Sequence, residues 1–200
     1  YKGLWSSFNS MNLFEIGHSL ARQFGPENWT LYKGKHLLSF LDNHDVERIA
    51  SILTDPEHLR PAYGILFGMP GVPAVYYGSE WGLQGKKSQG DDALRPAIEK
   101  PESNELTEFI SRLAEAHKNS HALCHGAYRN VVLTNKQIIF ERAADGERVL
   151  VAVNADAAPY TAHFDAGCGT AVDLITGETH DFGGGSELAP YSVAYWKMER

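Results

Sequence analysis

Two hydrophobic patterns alternate along the first half of the chain. Apolar residues recur at helical spacing in three segments, and short apolar runs typical of strands lie between them. The spacing predicts helices over residues 10–24, 58–68 and 105–119, a short buried strand over residues 35–41 and a second strand over residues 74–77. Because polar residues directly follow each strand and the elements alternate, we expect a parallel sheet with helices outside it.

The pattern changes after about residue 121 to short β-type runs. These runs are 131–133, 137–141, 149–153, 160–164, 171–174 and 192–196, separated by residues typical of turns. Regular short strands of this kind predict an antiparallel β-sandwich. We place the boundary within residues 119–125, which divides the chain into an α/β part, residues 1–121, and an all-β part, residues 122–200.

Composition excludes several classes of protein. The chain has 200 residues, of which 43% are hydrophobic and 22% charged, as in ordinary globular proteins. The net charge of -7 and the lack of a Lys/Arg cluster argue against a nucleic-acid partner. No apolar run reaches the ~18 residues that span a bilayer, so we expect no membrane segment.

The first residues leave the compartment open. The chain begins with Tyr1 rather than Met, and residues 1–5 lack the basic and apolar regions of a signal peptide. We therefore expect a processed chain or a piece cut from a longer one, either cytoplasmic or secreted.

Metal and disulfide chemistry are not expected. His117, His121 and His125 are four residues apart, but no carboxylate or thiol stands in pattern with them, so we predict no metal site. Cys124 and Cys168 make no disulfide framework, and we interpret them as small buried apolar residues.

Two polar motifs follow the predicted strands. The first is FLDNHD at residues 40–45, and the second is GVPAVYYGSEWG at residues 71–82. FLDNHD resembles the Asn-His-Asp motif of glycoside hydrolase family 13, the α-amylase family, where it follows the seventh strand of a (β/α)8 barrel. GVPAVYYGSEWG is similar to the eighth strand of that barrel and the loop after it. The spacing fits one helix between the motifs, and the all-β part resembles the family's domain C.

The resemblance covers essentially the whole chain and implies its fold and activity. The implied fold is the C-terminal portion of a (β/α)8 TIM barrel followed by an antiparallel β-sandwich, domain C. Residues 4–10 and 91–96 are nearest to cyclomaltodextrinases and neopullulanases. The implied parent protein is a retaining glycosidase that cleaves α-glucosidic bonds in starch-like oligosaccharides or cyclodextrins.

Part of the family's catalytic machinery has no counterpart in this sequence. The family's nucleophile is an Asp after the fourth strand and its acid/base is a Glu after the fifth, and neither motif is present here. We therefore expect the chain alone to be inactive and not to close a barrel. An open barrel edge also leads us to expect homo-oligomers or a longer natural chain. No cofactor is expected in this chain; calcium in the parent stays open.

The resemblance also implies site roles. Asp45 would be the third carboxylate of the family, which stabilises the transition state by accepting hydrogen bonds from the sugar 2- and 3-hydroxyls. His44 would donate to a sugar hydroxyl, and Asn43 would orient its neighbours. Arg95 would either reach a sugar or form a salt bridge with a nearby aspartate, at position 91 or 92.

Other interpretations of these motifs stay open. Asp42 or Asp45 could cap a short helix beginning at residues 46–48. We interpret Glu80 as ordering its loop rather than contacting substrate, and Tyr77 as core at least as readily as a platform for glucose rings. Trp81 could also stack on glucose.

Three classes of function remain compatible with the sequence. The first is an α-glucan hydrolase. The second is a non-catalytic structural or glycan-binding piece, and the third is a transglycosylase or isomerase on the same scaffold, because fold does not decide reaction type. In the first and third, the expected partner is an α-glucan oligosaccharide.

Overall fold

The computed structural model describes residues 1–198. Within them the helices are α1 (Lys2–Asn9), α2 (Phe14–Phe24), α3 (Ile49–Ile52), α4 (Leu59–Gly68), α5 (Asp91–Leu94), α6 (Glu105–Lys118) and α7 (His121–His125). Short 3-10 helices lie at Pro56–His58, Ser79–Trp81 and Lys87–Gln89.

The described strands form three sheets. They are β1 (Leu38–Phe40), β2 (Val72–Ala74), β3 (Ala127–Leu133), β4 (Gln137–Ala144), β5 (Glu147–Asn154), β6 (Tyr160–Ala162), β7 (Thr170–Asp173), β8 (Thr179–Asp181), β9 (Ser186–Leu188) and β10 (Val193–Met198). β1 pairs with β2, and β6 pairs with β9. The third sheet has the order β3-β4-β5-β10-β7-β8 and is antiparallel throughout.

The β1–β2 pair is parallel, as predicted for the first half of the chain. Leu38 pairs with Val72, and Phe40 pairs with Ala74. Both strands are shorter than the sequence indicated, and β2 lies two residues earlier. The prediction that the first strand is buried is wrong, because Leu38 is 67% exposed. Val72, at the start of β2, is 49% exposed. Among residues 1–198 no third strand pairs with β1 or β2, so the apolar run alone did not indicate how far the strand is buried.

The helix predicted over residues 10–24 is wrong at its start. Met11 adopts a positive φ of 48°, a conformation that a helix does not accept. The backbone therefore turns there and separates α1 from α2. The short helix α7 was also not predicted, although Ser120 accepts a hydrogen bond from the Leu123 N–H at 3.1 Å and so caps it.

One hydrophobic core joins the helices to the large sheet. Phe67 on α4 and Leu113 on α6 belong to the same buried cluster as Phe140 on β4, Val151 on β5 and Tyr195 on β10. Helix α4 is buried on every side from residue 61 to residue 68, which explains why it is apolar all round.

Two glycines of α4 allow the large sheet to approach the helix closely. A Cβ at Gly64 would lie 2.6 Å from the methyl groups of Val193, and one at Gly68 would lie 2.7 Å from a methyl of Val151. The helix backbone therefore packs directly on β5 and β10.

A second buried cluster covers the other face of the large sheet. It includes Ile139, Leu150 and Trp196 from the large sheet and Ala162 and Leu188 from β6 and β9. Ile138 and Phe140 face the first core while Ile139 faces the second, which explains why residues 138–140 of β4 are apolar without alternation. Strands β8 and β9 were not predicted, since each has three residues and carries polar side chains.

Candidate active site

The loop after β1 carries the Asn-His-Asp motif. Since β1 and β2 are parallel, the segments that follow them meet at one edge, where active sites of barrel proteins lie. The Asn43 side-chain oxygen accepts a hydrogen bond from the Asp45 N–H at 2.8 Å, which fixes the turn. His44 Nε2 lies 3.2 Å from Asp45 Oδ2, and both side chains are more than half exposed.

Arg95 joins this loop from a distant segment. Its Nη2 lies 3.2 Å from Asp45 Oδ1, and its Nε donates to the His44 carbonyl oxygen at 3.0 Å. Arg95 was expected either to reach a sugar or to pair with a nearby aspartate, and the pair with Asp91 is present at 3.9 Å. Its contact with Asp45 was not predicted. All four predicted site residues, Asn43, His44, Asp45 and Arg95, therefore lie together at one edge.

Beneath this loop lies a buried carboxylate, Asp42, which is 2% exposed. Its Oδ2 accepts from the Ile49 N–H at 2.8 Å, and the Ser79 hydroxyl lies 2.9 and 2.8 Å from its two oxygens. Burial raises the pKa of Asp42, opposed by these hydrogen bonds and by the charge of Arg48. The capping interpretation is confirmed for Asp42, which accepts from the first N–H of α3, and not for Asp45; α3 begins at Ile49, just after the expected start at residues 46–48.

A buried arginine lies beside Asp42. Arg48 is 0% exposed, and its Nη1 donates to the Tyr77 carbonyl at 2.6 Å and to the Ser79 hydroxyl at 3.0 Å. Its Nη2 donates to the Leu94 carbonyl at 2.8 Å. Sequence reasoning missed these contacts, because their partners lie 29 to 46 residues away along the chain.

Aromatic rings line the same edge. The Tyr76 and Tyr77 ring centroids are 4.7 Å apart, and the Arg48 guanidinium lies 4.3 Å from the Tyr76 ring centroid. Tyr77 is 40% exposed, and its hydroxyl donates to the Pro96 carbonyl at 3.0 Å. The core interpretation of Tyr77 is therefore wrong, because its strand ends before residue 75.

Glu80 points inward. Its Oε2 is buried without a hydrogen-bond partner among the described residues, and its backbone carbonyl accepts from the Thr107 hydroxyl at 3.0 Å. The Asn104 side chain donates to the neighbouring Trp81 carbonyl at 3.0 Å. These contacts hold the loop against α6 through its backbone, and the role of the Glu80 side chain stays a prediction.

The histidines near the end of α6 have separate partners. His117 Nδ1 lies 2.7 Å from the Phe67 carbonyl oxygen, and His121 Nε2 lies 2.8 Å from Asp145 Oδ2. Across residues 1–198, no three His, Cys, Asp or Glu side chains are grouped to hold a metal ion. Cys124 and Cys168 are both free and only partly buried, so their interpretation as small buried apolar residues holds only in part.

None of the helices in the described part of the chain is long and apolar enough to cross a membrane. The longest of them, α6, has 14 residues.

Residues 9–129 match the family model described as α-amylase, catalytic domain. The match covers more than half of the chain and includes all four predicted site residues. The chain therefore belongs to the α-amylase catalytic-domain family.

Curated relatives carry the names of two kinds of enzyme. A cyclomaltodextrin glucanotransferase from Niallia circulans is 31% identical over 117 residues, which is 58% of this chain and 16% of the relative. An α-amylase from Niallia circulans is 28% identical over 123 residues, covering 62% of this chain and 23% of the relative. The chain thus spans less than a quarter of the length of these relatives.

Solved structures share the fold over nearly the whole chain. A cyclomaltodextrin glucanotransferase with a three-domain ABC distribution superposes with a TM-score of 0.83 at 24% identity, over 99% of this chain and 43% of that one. The α-amylase of Geobacillus thermoleovorans, complexed with acarbose, gives 0.79 at 17% identity, over 98% and 47%. The fold is that of part of a TIM-barrel enzyme of this family with an antiparallel sheet.

Proposed function

We propose that this chain is part of a retaining α-glucan glycoside hydrolase. Its substrates would be starch-like oligosaccharides or cyclodextrins. The observation that carries the proposal is the meeting of Asn43, His44, Asp45 and Arg95 at the edge where two parallel strands end. Family membership supports it, because the matched segment contains these residues.

Asp45 acts by stabilising charge in the transition state. Glycoside cleavage passes through an oxocarbenium-like state, and hydrogen bonds to the sugar 2-hydroxyl that strengthen there supply several kcal/mol. Asp45 is 64% exposed and held by a fixed turn, so its oxygens can accept from sugar hydroxyls. His44 and Arg95 flank it as donors to substrate oxygens.

Two further carboxyl groups complete the reaction. A retaining glycosidase needs a nucleophile and an acid/base about 5–5.5 Å apart, and we assign them to a part of the natural enzyme outside these 200 residues. The charge of Asp45 would keep the acid/base protonated, since a nearby like charge raises the pKa of a carboxyl group. The chain alone is then inactive.

The finer domain division also belongs to this proposal. Residues 1–121 would be the C-terminal part of the catalytic barrel, and residues 122–200 an antiparallel β-sandwich. The second buried cluster, between the large sheet and the β6–β9 pair, supports the sandwich. The assignment nearest to cyclomaltodextrinases rests on residues 4–10 and 91–96.

A transglycosylase is the second candidate, and the names of the relatives favour it. Several of them are cyclomaltodextrin glucanotransferases, and such an enzyme would pass the glycosyl group to a sugar hydroxyl instead of water. The same Asp45, His44 and Arg95 would serve both reactions. A non-catalytic glycan-binding role for the isolated chain stands as the third.

Product analysis with maltohexaose tests these alternatives. The 200-residue chain and the natural protein that contains it are each incubated with maltohexaose, and the products are separated by chromatography, with circular dichroism verifying the fold. We expect no product from the folded chain and shorter linear products from the natural protein; longer or cyclic products would identify a transglycosylase. Turnover by the chain alone, or no action by the natural protein, would contradict the proposal.

A further inference from the structure

We propose that Arg48 is a positioning residue that sets the distance between Asp45 and Arg95. It does so through a buried network with Asp42 and Ser79, called here the Arg48 network. This inference rests on the proposed function, because it concerns the same site.

Arg48 connects the two sides of the site directly. It stands three residues after Asp45, and it donates at 2.8 Å to the carbonyl of Leu94, the residue before Arg95. The other terminal nitrogen donates at 2.6 Å to the Tyr77 carbonyl, in the segment after β2. One guanidinium therefore joins the three segments that meet at the site.

Asp42 anchors the other end of the same loop. It stands three residues before Asp45, and both of its oxygens lie within 2.9 Å of the Ser79 hydroxyl. That hydroxyl accepts from Arg48 at 3.0 Å while it donates to Asp42. The loop is thus held at residues 42 and 48, and its exposed tip carries His44 and Asp45.

The exposed pair cannot fix its own geometry. Asp45 is 64% and Arg95 is 45% exposed, and surface pairs of this kind contribute about 0–1 kcal/mol. Arg48, Asp42 and Ser79 are each at most 2% exposed. Hydrogen bonds that water cannot replace hold the backbone on both sides of Asp45 and next to Arg95, so the position of the pair follows from the buried side chains.

The network requires the shape of arginine. Its two terminal nitrogens reach carbonyls of two different segments at once, and the planar group stacks 4.3 Å from the Tyr76 ring centroid. A lysine ammonium is a point charge on a flexible stem and does not reproduce this fork. Arg48→Lys therefore keeps the charge and loses the cross-link to one segment.

A double-mutant cycle in the natural protein tests the coupling. Arg48→Lys should lower kcat/KM on maltohexaose by about tenfold or more, since small displacements of a catalytic group cost up to about a hundredfold. In an Arg95→Ala background, Arg48→Lys should lower kcat/KM by less than about threefold, because the Arg95 side chain that it positions is already absent. Arg129→Lys, at an arginine whose side chain is 55% exposed and paired with Glu141 in the large sheet, is the matched control and should leave kcat/KM unchanged.

Equal losses from Arg48→Lys in both backgrounds would overturn the inference, because a role in folding alone is independent of Arg95. Thermal unfolding of each variant shows whether it is folded at the assay temperature. If Arg48→Lys does not fold, Ser79→Ala takes its place in the cycle, since it removes only the shared hydroxyl.

Amide hydrogen exchange tests the positioning without any activity. In the 200-residue chain, Arg48→Lys should speed exchange in residues 43–46 and 91–95 and leave β4 and β5 unchanged. Unchanged exchange at 91–95, or a uniform increase across the chain, would overturn the inference. If the natural protein does not act on α-glucans, the proposed function fails while this measurement still decides the role of Arg48.

Discussion

Replacing Arg142 by Met tests how the helices are joined to the large sheet. Arg142 on β4 is 1% exposed. It donates to the Gly68 carbonyl at 2.8 Å and to the Gly126 carbonyl at 2.9 and 3.3 Å. Gly68 is the last residue of α4, and Gly126 directly follows α7. The cation thus lies at the carbonyl ends of two helices, which favour positive charge.

The expected loss of stability follows from these contacts. Burial lowers the pKa of Arg142 to about 10, so the group is still charged at neutral pH. Each of the two carbonyls would lose a hydrogen bond to a charged group, worth about 1.5–3 kcal/mol. Met carries no charge, so the variant does not bear the desolvation cost of a buried cation, and this offsets part of the lost free energy. We expect Arg142→Met to lower the free energy of unfolding by about 2–4 kcal/mol.

Urea unfolding of the 200-residue chain at pH 7, followed by tryptophan fluorescence, measures this loss. The control is Arg112→Met on the exposed face of α6, where we expect a change within about 0.5 kcal/mol. A loss below about 1 kcal/mol for Arg142→Met would refute the argument, because it would show that the two carbonyls find other donors.

Two further predictions concern α4 and the end of α6. Gly64→Ala should lower the free energy of unfolding by about 1–3 kcal/mol, because the new Cβ would lie 2.6 Å from the Val193 methyls. Adding Val193→Ala should restore part of that free energy. Denaturant titration of the single and double variants measures both effects. Burial lowers the pKa of His117, so the folded chain binds a proton there less readily than the unfolded chain. The free energy of unfolding should therefore fall as the pH drops below about 6.5. His117→Asn should reduce the difference in unfolding free energy between pH 8 and pH 5.

The sequence predicted the change from alternating helices and strands to short antiparallel strands, and it singled out the exposed residues of the candidate site, but it missed several short elements, among them α1, α5 and α7. Helices and strands alternated as expected up to α6, because their apolar periodicity is strong. The motif placed His44 and Asp45 after β1, and Arg95 came from a separate stretch. The interruption of the first predicted helix at Met11 was not visible, since nothing in the apolar spacing marks the positive φ of that residue.

The buried part of the site could not be predicted. Arg48 and Asp42 resemble ordinary polar loop residues in the sequence, and only tertiary contacts bring Ser79 and Leu94 next to them. The exposure of Leu38 had the same origin, since burial depends on which strands lie alongside. Periodicity reports which residues share a face, but not what covers that face.

The turnover of Asp45→Asn on maltohexaose, in the natural protein that contains this chain, tests the central claim most directly. Asn keeps the shape and the turn but removes the charge, so kcat should fall by about a hundredfold or more with the fold intact. The control is Asp165→Asn in the all-β part, which keeps an acceptor for the Gly167 N–H. The enzyme carrying it should hydrolyse maltohexaose at the normal rate. Normal turnover by Asp45→Asn would contradict the assignment of Asp45 to an α-glucan active site.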